Sequence, residues 1–217
     1  MITLLNGDNV EASRGELNRL KLEAKGREMR TVEGRSVDSG TLVQSLESSS
    51  LFSITTLIII EQLFGKLGRQ TKKISEYGAM LAKAGKDADI IIWEDKELGE
   101  ATIKQLGPGV TVRLFKLPVL IFQFLDTLSL SMFERLCETE PPELVFSMLV
   151  KRVRQLISPP EGLADWQLAR LTRQAKSFTM NERISLYEKL GEAEYALKSG
   201  SSPFTFRQLL EQVLLSV

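Results

Sequence analysis

The sequence has no histidine and one cysteine, Cys137. The commonest general base, the usual serine triad and most zinc sites are therefore absent. Cys137 ends the helical pattern Met132-Phe133-Glu134-Arg135-Leu136-Cys137 and reads as a small buried apolar residue, with no histidine to deprotonate it. The natural enzyme hypothesis for the front half of this chain is nucleotide binding. A phosphate-holding loop follows a first strand as G-x-x-x-x-G-K-[ST], where backbone N–H groups and a lysine meet the phosphates. Here the first apolar run leads into Gly7-Asp8-Asn9-Val10-Glu11, with no second glycine, no lysine, and two carboxylates where phosphate would sit. Gly65-x-x-Gly68 and Gly107-x-Gly109 are isolated fragments of such motifs. Glu94-Asp95 has the form of a Mg²⁺-holding pair. Without a phosphate loop it reads as a solvated strand end. No cofactor and no metal are expected.

Binding is better provided for than catalysis. Ser48-Ser49-Ser50 breaks a helical pattern, and Leu51-Phe52 then place two bulky apolar side chains just ahead of a buried strand. They either begin the core or protrude as an anchor for another protein's apolar pocket. Two groups of cations, Lys66, Arg69, Lys72 and Lys73, and then Lys151, Arg152 and Arg154, read as solvated helix faces able to touch DNA phosphates weakly. Over the whole chain 28 basic residues cancel 28 acidic ones, so nucleic acid is not bound by bulk charge. No apolar tract approaches the ~20 residues of a spanning helix, and Met1-Ile2-Thr3-Leu4-Leu5 lacks a basic flank. The expectation is a cytoplasmic protein with no membrane contact.

These residues hang on two kinds of scaffold. Residues 2–5, 29–32, 54–60, 88–93 and 110–115 read as strands, several of them continuous apolar runs of the kind a parallel sheet buries on both faces. Between them lie helical patterns at 10–25, 38–46, 61–84 and 98–106, the second capped by Asp38-Ser39-Gly40. Strand–helix alternation predicts an α/β domain with a mostly parallel sheet over 1–117. From residue 118 the strand signals stop. Phe122, Leu125, Leu128, Met132, Phe133 and Leu136 share one helical stripe, and Pro141-Pro142 opens the next helix. Thr179-x-x-Glu182 and Thr205-x-x-Gln208 are capping boxes. An all-helical domain of about five helices is predicted over 118–217.

In order along the chain, several stretches resemble the delta subunit of the bacterial DNA polymerase III clamp loader. They are Leu4-Leu5-Asn6-Gly7-Asp8, Ser50-Leu51-Phe52 with the apolar run at 55–60, and residues 90–94 with Asp95-Lys96. In the tail they are Trp166-Gln167-Leu168-Ala169-Arg170-Leu171, Gln174-Ala175-Lys176-Ser177-Phe178-Thr179 and Ala196-Leu197-Lys198-Ser199-Gly200. The resemblance implies an AAA+-like (P-loop-like) front domain without an ATP site and a helical collar that assembles with the ATPase subunits of the loader. It also implies a clamp anchor at Leu51 and Phe52, lined by Ser48, Ser49 and Ser50. Ser48 stands where a glutamine often leads such clamp-binding peptides. Members of this family carry a helical lid between front and collar; here Phe115-Lys116-Leu117-Pro118 runs almost directly into Phe122-Gln123-Phe124-Leu125, which resembles the opening of the collar. The partners implied are the sliding clamp, the loader ATPase subunits and, weakly, DNA; no intrinsic enzymatic activity is expected. A nucleotide-dependent α/β enzyme with a helical appendage, and a scaffold that no longer binds the clamp, are the alternatives.

Overall fold

The computed structural model describes residues 1–47, 56–65, 67, 68, 70–86 and 88–216, with the backbone alone at Glu47. It divides into two compact units, Met1–Leu117 and Pro118–Val217.

The front unit is an α/β layer structure. Its strands β1 (Ile2–Asn6), β2 (Met29–Glu33), β3 (Leu57–Glu61), β4 (Asp89–Glu94) and β5 (Val110–Leu114) form one sheet in the order β2-β3-β4-β1-β5. Every pairing is parallel. Its helices are α1 (Val10–Glu23), α2 (Ser39–Glu47), α3 (Thr71–Ala84) and α4 (Glu100–Gln105). Connection geometry decides which face each helix covers. The β1–β2 crossover travels one way along the sheet, and the crossovers β2–β3, β3–β4 and β4–β5 travel the other way. Right-handed crossovers then put α1 on one face and α2, α3 and α4 on the opposite face. The two cores follow. Leu17 of α1 packs on Leu5, Ile59, Ile91 and Trp93. On the other side Leu42, Ile74 and Leu81 pack on Leu4, Ile58, Ile60 and Ile92. The continuous apolar runs of β1, β3 and β4 exist because consecutive side chains serve opposite cores.

Among its described residues the second unit holds six helices rather than about five: α5 (Val119–Thr127), α6 (Leu130–Leu136), α7 (Pro142–Ile157), α8 (Asp165–Ala175), α9 (Met180–Ser199) and α10 (Phe206–Leu215). The stripe read as one helix over 122–136 is cut at Leu128, which adopts a left-handed conformation with φ 52°. The Thr127 hydroxyl donates to the Gln123 carbonyl at 3.1 Å and accepts the Ser129 N–H at 3.4 Å, closing the corner locally. Leu128 stays buried at the bend, and the turn brings Phe124 and Phe133 to 5.8 Å between ring centres. Phe122, predicted on the inner stripe, is 38% exposed, because it lies about 100° round α5 from the buried Ile121. Both capping boxes form: Thr179 accepts from the Glu182 N–H at 3.2 Å, and Thr205 from the Gln208 N–H at 3.4 Å. Arg183 fastens the far end of α7, donating to the Leu156 carbonyl at 2.6 Å and to those of Phe178 at 3.2 Å and Thr179 at 3.3 Å.

Candidate functional site

In open parallel sheets ligands settle beyond the carboxyl ends of the strands, where neighbouring crossovers diverge. In this sheet that place lies between β1 and β4, whose outgoing connections leave in opposite directions. The turn after β1 decides what the crevice can hold. Gly7 has φ 137°, a conformation open to glycine alone, and a Cβ there would collide with the Phe115 carbonyl. The Phe115 N–H donates to the Asn6 carbonyl at 2.8 Å, and the Asn9 N–H donates to the Phe115 carbonyl at 3.0 Å. The turn is thus fastened to the exit of β5 instead of arching over an anion. Asn6 is buried, its Oδ1 accepting from the Leu98 N–H at 3.0 Å and its Nδ2 donating to the Arg113 carbonyl at 3.4 Å. Asn9 caps α1, accepting from the Ala12 N–H at 3.1 Å.

Glu94 corrects the reading of a solvated strand end. It is fully buried, and its carboxylate accepts from the Phe64 N–H at 2.7 Å and the Gly65 N–H at 3.0 Å. Burial pushes its pKa upward, and the backbone hydrogen bonds of the 63–65 turn pull the other way without cancelling that effect. Glu94 therefore caps the turn after β3 from within, where an external anion would otherwise be welcome. Asp95 accepts from Gln62 Nε2 at 2.7 Å and pairs with Arg35 at 3.2 Å. Arg35, Gln62, Gly65, Asp95 and Lys96 line a shallow cavity of about 380 Å³, with Gln62 at φ 59°. Among the described residues no cluster of acidic, cysteine or histidine side chains is arranged to hold a metal. On the α1 side, Arg14 stacks 3.5 Å from the Trp93 ring centre and pairs with Glu61 at 2.6 Å. Trp93 Nε1 donates to Ser13 Oγ at 3.0 Å. Chemically, the buried polar groups described at this rim, Asn6, Asn9 and Glu94, spend their hydrogen bonds within the chain.

The residues singled out for binding fall elsewhere. Ser48, Ser49, Ser50, Leu51 and Phe52 lie outside the described residues, as do Lys66 and Arg69. The nearest described flanks of residues 48–52 are Glu47, at the end of α2, and Thr56, whose carbonyl accepts from the Asp89 N–H at 3.1 Å. Lys72 and Lys73 are exposed in the first turn of α3. Lys151, Arg152 and Arg154 do not make one surface. Lys151 is exposed, whereas the Arg152 side chain is only 11% exposed, pairs with Asp126 at 3.6 Å and donates to Gln174 at 3.4 Å. Burial lowers its pKa against the pull of Asp126. Arg154 donates to the Tyr187 hydroxyl at 3.0 Å. Cys137 is half-buried, and burial raises its thiol pKa. Sequence reasoning missed the inward roles of Asn6, Glu94 and Arg152, whose partners are 92, 30 and 22 residues away.

No family model matches the chain, and no curated protein matches it. Among solved structures it is similar to the Bacillus subtilis DNA clamp loader delta protein YqeN, at 14% identity and a TM-score of 0.50. The likeness covers 99% of this chain and 94% of that one. It is a likeness of fold: the α/β front and the helical remainder are delta-like in architecture.

Proposed function

We propose that the chain is a compact delta-like subunit of a sliding-clamp loader in DNA replication. The observation that carries this reading is the delta-like fold over 99% of the chain, which takes in both units. In this reading Leu51 and Phe52 enter an apolar pocket of the sliding clamp, with Ser48, Ser49 and Ser50 beside them. The helices of residues 118–217 join ATPase subunits of the loader, which hydrolyse ATP, and this subunit has no activity of its own. The closed carboxyl rim supports that division of labour, because Asn6, Glu94 and the turn at Gly7 use their polar groups internally. The work would be mechanical. A binder opens a ring only if it prefers the opened state, and a tenfold preference supplies about 1.4 kcal/mol toward opening. Lys72, Lys73 and Lys151 are exposed and available for weak contact with DNA phosphates. Among the described residues no helix is long and apolar enough to cross a membrane, which suits a cytoplasmic role in replication.

The test is capture of the chain on immobilised cognate sliding clamp, with wild type beside the double variant Leu51→Ala, Phe52→Ala. Wild type should be retained and the double variant lost at equal loading. Equal capture of both would remove the anchor assignment, and no capture of either would remove the clamp reading.

A further inference from the structure

The core beneath α1 is filled at one end and left open at the other. Leu17 is wholly buried against Leu5, Ile59, Ile91 and Trp93. Seven residues on, along the same helical stripe, stands Ala24, which brings a single methyl group. Ala24 caps the end of α1, its N–H donating to the Leu20 carbonyl at 3.1 Å, and Gly26 at φ 97° then turns the chain toward β2. The helix therefore offers no large side chain to the amino ends of the strands. A cavity of about 190 Å³ results.

Its lining divides by depth. Ala24, Leu57 and Ile91 are buried and apolar. Thr3 also lines it and is 6% exposed; it lies two residues before Leu5, on the same side of β1, and so faces α1. The Thr3 hydroxyl has no hydrogen-bond partner among the described residues, yet it is not sealed off as Gln105 Oε1 is. What reaches it is the cavity. The charged groups of the lining are already paired: Arg27 with Asp89 at 2.8 Å, and Glu23 with Arg19. A charged guest would have to break one of these pairs, and a neutral guest would not. An apolar cavity of roughly 150 Å³ is enough to hold benzene. The space here, with one open hydroxyl on its floor, fits such a ring carrying one polar group.

We infer that the front unit binds a small neutral molecule in this cavity, a single apolar ring with one substituent that hydrogen-bonds to Thr3. The ring rests on Leu57, Ile91 and Ala24, and the substituent satisfies the hydroxyl that the chain leaves unpartnered. The site lies at the amino ends of the strands, whereas Asn6 and Glu94 close the carboxyl ends. It goes beyond the clamp-loader reading and does not depend on it.

Calorimetric titration of the full chain with phenol tests the proposal. Wild type should show one saturable site with a Kd of about 1 mM or tighter. Ala24→Leu fills the cavity from the helix side and should weaken binding about tenfold or more. Thr3→Val keeps the shape and removes the hydroxyl, so phenol should bind about five- to tenfold more weakly. Toluene, which offers no hydrogen bond, should bind wild type and Thr3→Val alike. Wild type that takes up no phenol by about 10 mM overturns the proposal. So does an Ala24→Leu protein that binds as wild type does, or a Thr3→Val protein that keeps full affinity for phenol. An unchanged circular dichroism spectrum checks each fold, and the comparison of phenol with toluene on Thr3→Val stands even where the leucine is not accommodated. No clamp or loader subunit is in the cell, so failure here leaves the clamp reading to its own test.

Discussion

Replacing Glu94 by glutamine tests whether the carboxyl end of the sheet is closed from within. The substitution keeps shape and one acceptor but turns an NH₂ group toward the second backbone donor. In wild type the two carboxylate oxygens receive N–H groups from Phe64 at 2.7 Å and Gly65 at 3.0 Å. One buried N–H left without an acceptor costs about 1–3 kcal/mol, and two donors facing each other place the loss toward the upper end. A charged carboxylate in this position carries its own penalty, because burial raises its pKa above the ordinary glutamate value of 4.5. The sign follows from linkage. A folded-state pKa above the unfolded one means that the Glu94 contribution is fully present below the unfolded pKa and declines as pH rises through the folded one. Glutamine does not titrate. The stability gap between wild type and Glu94→Gln should therefore be widest at acid pH and narrow as pH rises above the ordinary glutamate range. Urea denaturation of both proteins at several pH values reads the gap directly. A gap that widens with rising pH, or a variant as stable as wild type throughout, refutes the reasoning.

Two further substitutions probe the same architecture. Gly7→Ala puts a methyl group into the Phe115 carbonyl at a backbone angle alanine resists; strain and displaced hydrogen bonds should cost about 2–4 kcal/mol in urea denaturation, and a loss under about 0.5 kcal/mol would show a turn free to move. Arg183→Met removes the donor to three carbonyls at the α7 end and the α8–α9 turn; it should lower stability by about 2–3 kcal/mol in thermal or urea unfolding, and an unchanged midpoint would mean that water replaces the guanidinium at no cost.

The fold class was legible because burial on both faces leaves its mark locally: residues 57–60 and 90–93 are apolar without alternation, as a strand covered on both faces of a parallel sheet requires. The capping boxes at Thr179 and Thr205 were legible for the same reason, each being a reciprocal contact within four residues. The corner at Leu128 was not, because a single left-handed residue interrupts the helix while the spacing of its apolar neighbours carries on. Glu94 was misread because its partners lie 29 and 30 residues away, and only assembly of β3 beside β4 brings them together. Arg152 looked like one of a cationic trio, but each helical residue is rotated by about 100° from the last, which carries it inward while Lys151 and Arg154 stay outside. The proposed anchor at Leu51 and Phe52 rests on the sequence resemblance, since those residues are outside the described ones.

The fastening of the Gly7 turn to Phe115 matters to anyone who would re-engineer this scaffold. Grafting a glycine and a lysine after β1 would not make a phosphate cradle. The graft would first have to free Phe115 from Asn6 and Asn9, and give the buried Asn6 carboxamide new partners in place of Leu98 and Arg113. Each released group needs a replacement or costs about 1–3 kcal/mol. Nucleotide binding would be reached here by rebuilding the exit of β5 together with the turn, as one piece.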